Sequence, residues 1–538
     1  MDAHRFRAPS EDGGLLAIPP LAEAPAWLEA NRQRLAAWDY NFHGRRAGRL
    51  RAMARPQVLD AARAEHRQRG LEPLPPLDPA APLLATGHQP ELFHPGVWAK
   101  NFAAAALARP QGGLALNLIV DNDVPRSPSI RVPTPTDSGL RVVQVEFDRW
   151  SADVPYEAWT VRDEELFASF PDRVRAVLAG MVPDPVLDEF WPHVAEAARH
   201  TDRIGTRFAV ARRRLEAAWG IHNAEVPISR VCQTEAFLWF AASLLADLPR
   251  FREIHNAALR RYRAAYGIRS SHHPVADLAG QADWNEAPFW VWRAGAPRRR
   301  PLLARQAGRV LQLRIATEEA PFIELPLTPG GEACCAVEAL RDLPARGIAV
   351  RTRALTTTMF ARLLVGDLFF HGIGGAKYDE LGDVIIRDYY GLEPPGYGVL
   401  SMTLWLGLPD DPATPERLHR LERLRRELIY NPERHLPPDL PADLAAALAA
   451  KRAAIAGPVA THRQRVARFE AIRAANAVLA APLEPRRAAV EAELARTAAG
   501  LAANTVAHGR DYPFIIHSRT RLRAALAAIG FAPKMRDG

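Results

Sequence analysis

The fold is decided by residues 82–101, which read Pro82-Leu83-Leu84-Ala85-Thr86-Gly87-His88-Gln89-Pro90-Glu91-Leu92-Phe93-His94-Pro95-Gly96-Val97-Trp98-Ala99-Lys100-Asn101. The apolar run 82–86 predicts a short strand, and the turn rich in glycine and histidine ends it. Residues 97–108 predict a helix. A second run, 114–120, is apolar nearly throughout, as a parallel strand buried on both faces would be. The sequence therefore predicts a βαβ unit.

The composition is that of a folded, enzyme-sized protein. A chain of 538 residues exceeds the size of one typical core, so two or three structural units are expected. The hydrophobic fraction of 48% and the charged fraction of 24% argue against global disorder. The three cysteines, Cys232, Cys334 and Cys335, cannot build a disulfide framework, which favours a reducing compartment.

The sequence indicates neither a membrane nor a nucleic-acid partner. The N-terminus lacks an apolar signal region, and no uninterrupted apolar span of about 18 residues follows, so a cytoplasmic protein without membrane contact is expected. The net charge is +8 and the pI is near 9.6. Because the arginines are scattered among alanines, prolines and acids, nucleic-acid binding is not expected.

Changes of pattern divide the chain into six expected parts. These are an N-terminal helical cap (1–75), the first part of an α/β core (76–150), a helical insertion (151–271), the second part of the core (272–413), a helical arm (414–504) and a C-terminal return to the core (505–538). Within the arm, leucines such as Leu421 and Leu428 recur at helical spacing. That apolar seam fits packing within the arm or dimerisation through it. The last part is expected to begin with a strand at Tyr512–His517.

The first glycine motif is a candidate anion site. A turn that ends a strand and opens a helix directs backbone N–H groups towards a ligand, where the helix dipole favours negative charge. The residues expected to bind a phosphate or carboxylate are Thr86, Gly87, His88, Gln89, His94, Gly96 and the helical Lys100. The alternative is structural: the glycines shape a tight turn and His94 caps the helix.

The second glycine motif, at residues 371–380, follows a predicted strand at 365–370 and contains another of the few lysines. Gly374 and Gly375 would let the backbone approach a ligand, while Lys377 could neutralise its charge. The alternative is an ordinary turn from strand to helix with Lys377 in solvent. Both motifs are expected at the carboxyl ends of strands, where open α/β sheets bind ligands.

A third candidate is Asp121-Asn122-Asp123, at the end of the predicted second strand. These carboxylates could hold a ribose, an ammonium group or Mg²⁺, or they could simply form the turn before Pro125.

Other conspicuous residues favour structural roles. Trp290 and Trp292 could wall a ligand but are more typical of a core. His272 and His273 lack the spacing of a zinc site, and no metal ligand is assigned. Cys232 is expected to pack at a helix start.

The order of these motifs resembles the cysteine-adding enzyme family of bacillithiol biosynthesis. The resemblance is carried by Thr86-Gly87-His88-Gln89 with Leu92-Phe93 and Gly96, by Asp121 to Asp123, by Gly374-Gly375 and by Tyr512-Pro513-Phe514. This chain has Gly-His-Gln where the family typically has Gly-Gln-Gln, so it would be a divergent member. The resemblance implies an α/β fold with a Rossmann-like parallel core, helical insertions and a coiled-coil arm used for dimerisation.

The resemblance also implies a reaction. A ligase of this family would join cysteine, or a related amine, to an amino-sugar malate conjugate by an amide bond. ATP or ADP with Mg²⁺ is the expected cofactor, and a homodimer is the expected assembly. His88, Lys377 and Asp123 are the expected catalytic residues: the first two would stabilise developing negative charge, and Asp123 would orient the amine.

Two alternatives belong to other classes. A nucleotidyltransferase of the class I Rossmann-like superfamily would use His88 and His94 on ATP. A non-catalytic scaffold would act through the helical arm.

Overall fold

The computed structural model describes residues 6–137, 139–150, 153–270, 273 and 275–529. It is a mixed α/β structure with long helices near the C-terminus. Among these described residues, no helix combines the length and the apolar character needed to cross a membrane.

Fourteen strands are described, and they form one mainly parallel sheet, one antiparallel sheet and one two-stranded ribbon. They are β1 (Leu15–Ile18), β2 (Leu83–His88), β3 (Leu114–Ile119), β4 (Ser129–Thr136), β5 (Gly139–Glu146), β6 (Ala224–Pro227), β7 (Gly280–Gln281), β8 (Trp284–Arg293), β9 (Ala296–Ala307), β10 (Val310–Ile315), β11 (Ile323–Leu325), β12 (Ile348–Thr352), β13 (Leu368–His371) and β14 (Tyr397–Met402).

The helices of the described chain cover the main sheet and build the C-terminal segment. They are α1 (Ala24–Ala37), α2 (Ala47–Gln68), α3 (Pro95–Ala108), α4 (Glu164–Ala168), α5 (Phe170–Leu178), α6 (Leu187–Ala197), α7 (Ile204–Ala218), α8 (Ile228–Val231), α9 (Glu235–Ala246), α10 (Leu248–Tyr266), α11 (Cys334–Arg341), α12 (Ala354–Phe360), α13 (Ile373–Tyr390), α14 (Pro415–Tyr430), α15 (Ala442–Ala456), α16 (His462–Ala480), α17 (Glu484–Ala507) and α18 (Arg519–Ile529).

The main sheet has the order β1-β14-β13-β2-β3-β6, in which all neighbours are parallel except the antiparallel edge strand β1. The unit β2-α3-β3 is the predicted βαβ unit, with Leu84 opposite Ala115. Successive side chains of β2 pack into two different hydrophobic clusters. Leu83 and Ala85 belong to one cluster, and Leu84 belongs to the other. Because strand side chains alternate between faces, both faces of this sheet are buried.

The second sheet has the order β11-β10-β9-β8-β12 and is antiparallel. It approaches the carboxyl edge of the main sheet, where Nδ2 of Asn122 donates to the carbonyl of Thr352 at 2.8 Å. Arg299 Nη1 and Asp123 Oδ1 form an ion pair of 2.7 Å between the two sheets. The second sheet therefore covers part of the edge at which ligands are expected.

The C-terminal segment, predicted as a helical arm, contains the four helices α14 to α17 within the described chain. Leu421 and Leu428 of α14 pack with Val490 and Leu494 of α17. Further along, several large apolar side chains are exposed. Phe469 on α16 is 64% exposed and Tyr430 at the end of α14 is 60% exposed.

Several predicted elements need correction. The terminal strand at Tyr512–His517 is wrong, because the structure has a short 3₁₀ helix at Phe514–Ile516 after Pro513. The strand predicted at 365–370 begins only at Leu368, because a π-helical turn occupies Ala361–Val365. Strands β1 and β6 lie in regions that were expected to be helical.

Candidate anion-binding site at the carboxyl edge of the main sheet

The two glycine motifs leave neighbouring strands at the same edge of the sheet. Strand β2 ends at His88 and pairs in parallel with β13, which ends at His371. From β2 the chain moves outward to β3 and β6, and it later returns to β13 and β14 on the other side. Ligands bind open α/β sheets at such a reversal of strand order, outside the carboxyl ends.

Lys100, on helix α3, places a buried ammonium group at this edge. Lys100 is only 5% exposed, and its Nζ donates to the carbonyl of Gly87 at 2.8 Å. Burial lowers the pKa of Lys100 to about 8. Within the described chain, Lys100 forms no ion pair, so no carboxylate compensates its charge. A buried, unpaired cation is costly and is therefore a candidate ligand-binding group.

His88 lies beneath the edge in a buried polar network. Its Nδ1 is 3.0 Å from the carbonyl of Gln89, and its Nε2 is 3.1 Å from Nδ2 of Asn117. A carbonyl can only accept and an amide nitrogen can only donate, so we assign the proton to Nδ1 and the lone pair to Nε2. Burial, followed by the charges of Arg212 and Lys100, lowers the pKa of His88 far below its usual value. His88 is therefore a neutral, oriented ring.

The network that holds His88 contains one guanidinium group and two carboxyl groups. Arg212 donates to Glu216 at 2.7 Å and to Glu225 at 2.6 Å, and all three residues are buried. Asn117 donates to the same Glu225 oxygen at 2.7 Å and thereby links this ion cluster to His88. Oε1 of Glu216 also accepts from Trp98 and Asn101, whereas its buried Oε2 has no hydrogen-bond partner.

His94 is the N-cap of α3, because its Nδ1 accepts from the N–H of Gly96 at 3.1 Å. The predicted capping alternative is therefore present. Burial, with the charge of Arg510 next, lowers the pKa of His94 to about 4. Burial also lowers the pKa of His517, its neighbour, to about 4. Arg510 itself donates to Oγ of Ser401, in strand β14, at 3.0 Å.

A buried dyad lies at the end of β13; sequence reasoning placed both residues in the second motif, with Asp379 as a possible base or metal ligand, but did not pair them. His371 Nε2 is 2.5 Å from Oδ2 of Asp379, and Asp379 also pairs with Arg362 at 3.0 Å and accepts from Thr358 at 2.6 Å. Burial lowers the pKa of His371, and the charge of Lys100 contributes to that lowering. Burial opposes ionisation of Asp379, but His371, Arg362 and the hydrogen bonds outweigh it and lower its pKa.

We assign an ionised Asp379 beside a neutral His371, because the permanently charged Arg362 secures the carboxylate. The proton is then on Nε2, which faces Asp379, and the lone pair is on Nδ1. The available signal was a histidine directly before Gly372, at the start of the glycine motif, and an aspartate eight residues later.

The glycines of the second motif differ in their surroundings. A Cβ on Gly375 would lie 2.8 Å from Nδ1 of His371, whereas a Cβ on Gly374 would meet nothing within 4 Å. Gly375 therefore makes room for the imidazole. Helix α13 begins after Gly372 and has no side-chain cap, so its first N–H groups remain available. Lys377, one turn further along, is exposed.

The aspartates after β3 are joined to other residues predicted for the site. Asp123 accepts from Nε2 of Gln89 at 2.9 Å and pairs with Arg299 at 2.7 Å. Asp121 accepts from both the N–H and the hydroxyl of Ser229. Burial, with the charge of Glu157 next, raises the pKa of Asp121 to about 7.

These contacts bear on Mg²⁺, which the resemblance implies. Both oxygens of Asp121 and both oxygens of Asp123 already accept hydrogen bonds or pair with arginine. As arranged, these carboxylates do not fit a Mg²⁺ site, which needs free carboxylate oxygens. We assign no Mg²⁺ ligand among them.

The other predicted residues are placed as follows. Thr86 is fully buried, and its hydroxyl donates to the carbonyl of Phe370 at 3.2 Å, which joins β2 to β13. Gly96 packs against β14: a Cβ there would lie 2.9 Å from Oγ of Ser401. Trp290 lies beneath two guanidinium groups, those of Arg299 and Arg353. His272 falls outside the described residues.

No known family model matches this chain, and a search of curated proteins also returned no match.

Proposed function

We propose that the protein is an enzyme that binds an anionic small molecule between the ends of β2 and β13. The observation that carries this proposal is the buried ammonium of Lys100, which has one carbonyl partner and no ion pair within the described chain. Burial is the main cause of the lowered pKa values of His88, His94 and His371, and the charge of Lys100 adds to it. A phosphate or carboxylate bound there would supply the missing negative charge. The uncapped N-terminus of α13 would add backbone donors and a favourable dipole.

The proposal includes a Rossmann-like relationship for the main sheet. Its support is the parallel order β14-β13-β2-β3-β6, in which the chain leaves β2 in one direction and later returns on the other side. The reversal point coincides with the site. The arrangement of helices on both faces agrees with the same relationship.

The reaction we propose is the amide-forming ligation that the sequence resemblance implies, with a cysteine-like amine and an amino-sugar malate conjugate as substrates. Lys100 and the first turn of α13 would hold the anionic acid and stabilise negative charge as its acyl carbon is attacked. His371 would accept a proton from the amine at Nδ1, with Asp379 fixing the ring and its tautomer. Asp123 and Lys377 keep their predicted roles of orienting the amine and neutralising charge.

ATP, the expected activating cofactor, fits this arrangement through its phosphates. Lys100 and the N–H groups after Gly372 are the groups that would hold them. When bound, the nucleotide would supply the phosphoryl group that makes the acid reactive. The residues of this chain would orient the acid, balance its charge and move the amine proton.

The test is product formation from cysteine, the glucosaminyl-malate conjugate and ATP, followed by mass spectrometry. Titration calorimetry with malate, citrate, phosphate and ATP should accompany it. Lys100→Met should lower anion affinity at least tenfold. The matched control is Arg109→Met, which removes an exposed charge from the opposite end of the α3 region. No product and no anion binding by the wild type would refute the proposal.

Two other outcomes identify the rival functions. Nucleotidyl transfer to an acceptor, without amide formation, would favour a nucleotidyltransferase. Full function of Lys100→Met together with loss of function on deletion of residues 414–504 would favour a scaffold.

We also propose that two copies associate through the helical arm. The support is its exposed apolar side chains, including Phe469 and Tyr430, which no described contact covers. Light scattering should give twice the chain mass of 59.4 kDa. Phe469→Lys should give monomers, whereas Ala471→Lys, on the opposite side of α16, should not. A wild-type monomer at micromolar concentration would contradict this assembly.

A further inference from the structure

A separate apolar cavity lies away from the carboxyl edge, between helix α9, helix α11 and the second sheet. It has a volume of about 330 Å³ and is lined on its inner side by large apolar residues, among them Phe237, Leu245, Phe289, Leu302 and Leu340. Each of these residues is buried. The volume is in the range of small-molecule sites, which are mostly apolar with a few polar groups at defined places.

The cavity opens to solvent where its lining residues are exposed. Its exposed lining residues are Gln233, Arg341, Pro344 and Ala345, and these define the mouth. Arg341 and Arg45 both pair with Glu235, each at 3.1 Å. Two guanidinium groups therefore share one carboxylate at the mouth, which favours an anionic group there.

The polar residues deeper in the lining do not offer a second charge to a ligand. Arg351 is bound by both oxygens of Glu157, at 2.9 and 2.8 Å. Cys232 is a buried thiol whose pKa is raised to about 12 by burial. An occupant must therefore be apolar along most of its length and anionic at its outer end.

From this geometry we propose that the cavity binds one single-chain acyl carboxylate, with its hydrocarbon tail between α9 and the second sheet and its head at Arg341. Burial of the tail removes apolar surface from water, and it fills space that would otherwise lack packing partners. The site is independent of the anion site at the ends of β2 and β13.

The probe is decanoate, measured by titration calorimetry below its micelle concentration. One molecule should bind per chain, and octanoate should bind about tenfold more weakly because two buried methylenes are lost. Arg341→Gln should lower the affinity for decanoate at least fivefold and leave the affinity for decanol unchanged. The control Arg309→Gln, at the exposed turn between β9 and β10, should bind as the wild type does.

A second variant tests the cavity itself. Ala241 of α9 lines it, so Ala241→Leu should fill space, raise the melting temperature without ligand and abolish decanoate binding. Unchanged decanoate affinity in this folded variant would overturn the proposal. Binding without saturation, or without dependence on chain length, would also overturn it.

Discussion

Gly375 and His371 are in direct contact across the first turn of α13: a Cβ added to Gly375 would lie 2.8 Å from Nδ1 of His371. That nitrogen is the one left free by the contact of Nε2 with Asp379. The absence of a side chain at Gly375 therefore allows the position of the His371 imidazole. A substitution at Gly375 is a selective way to displace that ring.

Gly375→Ala should displace the imidazole and reduce ligation at least tenfold, with a smaller effect on anion affinity. The matched control is Gly374→Ala, one residue earlier, whose Cβ would meet nothing within 4 Å. That control should keep activity and gain about 0.5–1 kcal/mol of stability, because alanine is the better helix former. Equal loss of activity in both variants would show that the contact with His371 is unimportant.

Lys100→Met should stabilise the protein without ligand while removing anion binding. The folded-state pKa is about 8, below the usual 10.5, so the cost of burying the charge is complete below pH 8. This cost falls as pH rises from 8 to 10.5, because Lys100 loses its proton at a lower pH in the folded state than in the unfolded state. Urea unfolding should show a gain of about 3 kcal/mol at pH 7 and a smaller gain at pH 10. A destabilised variant at pH 7 would instead indicate that the bond to Gly87 dominates.

Asp121→Asn should stabilise the protein more at pH 8 than at pH 5. Burial and Glu157 raise the folded-state pKa to about 7 from the usual 3.8. The cost of the buried charge is therefore complete above pH 7 and is relieved as pH falls towards 3.8. Asparagine can keep both contacts with Ser229, so we expect the free energy of unfolding to rise by roughly 1–3 kcal/mol at pH 8. A pH-independent difference between variant and wild type would count against this assignment.

The three cysteines should react in two classes. Cys334 and Cys335 are exposed at the start of α11, whereas Cys232 is buried and its pKa is raised to about 12. Only a thiolate is nucleophilic, so a maleimide at pH 7.5 should label two sites rapidly and the third only after unfolding. Labelling of the double variant Cys334→Ser/Cys335→Ser in the folded state would show that Cys232 is accessible.

Local sequence patterns predicted the central unit of the fold but not its edges. The runs at β2 and β3 are apolar because both faces of the sheet are covered, and that pattern is visible without a structure. Strand β6 has only four residues, one of them the buried Glu225, so it gives no such pattern. Strand β1 is partly exposed and pairs with β14, almost 400 residues away, and no local pattern encodes that pairing.

The site was predictable to a similar degree. Lys100 and the glycine turns could be selected from spacing alone, and they do lie at the carboxyl edge of the sheet. The contact between His371 and Asp379 depends on where α13 begins and on Arg362, which comes from a preceding π-helical turn. The burial of His88 depends on Glu216 and Glu225, which lie more than a hundred residues further along the chain.

The pairing of β2 with β13 has a consequence for the order in which the protein can be built. Strands β2, β3 and β6 are complete once residue 227 has been synthesised, and they can form one half of the sheet early. The partner strand β13 emerges only at residues 368–371, and β14 later still. Such distant pairings are slow to close and leave a strand edge unprotected meanwhile. The edge proposed to bind the ligand is therefore assembled late, and a nascent chain that stops before residue 368 carries Lys100 without His371.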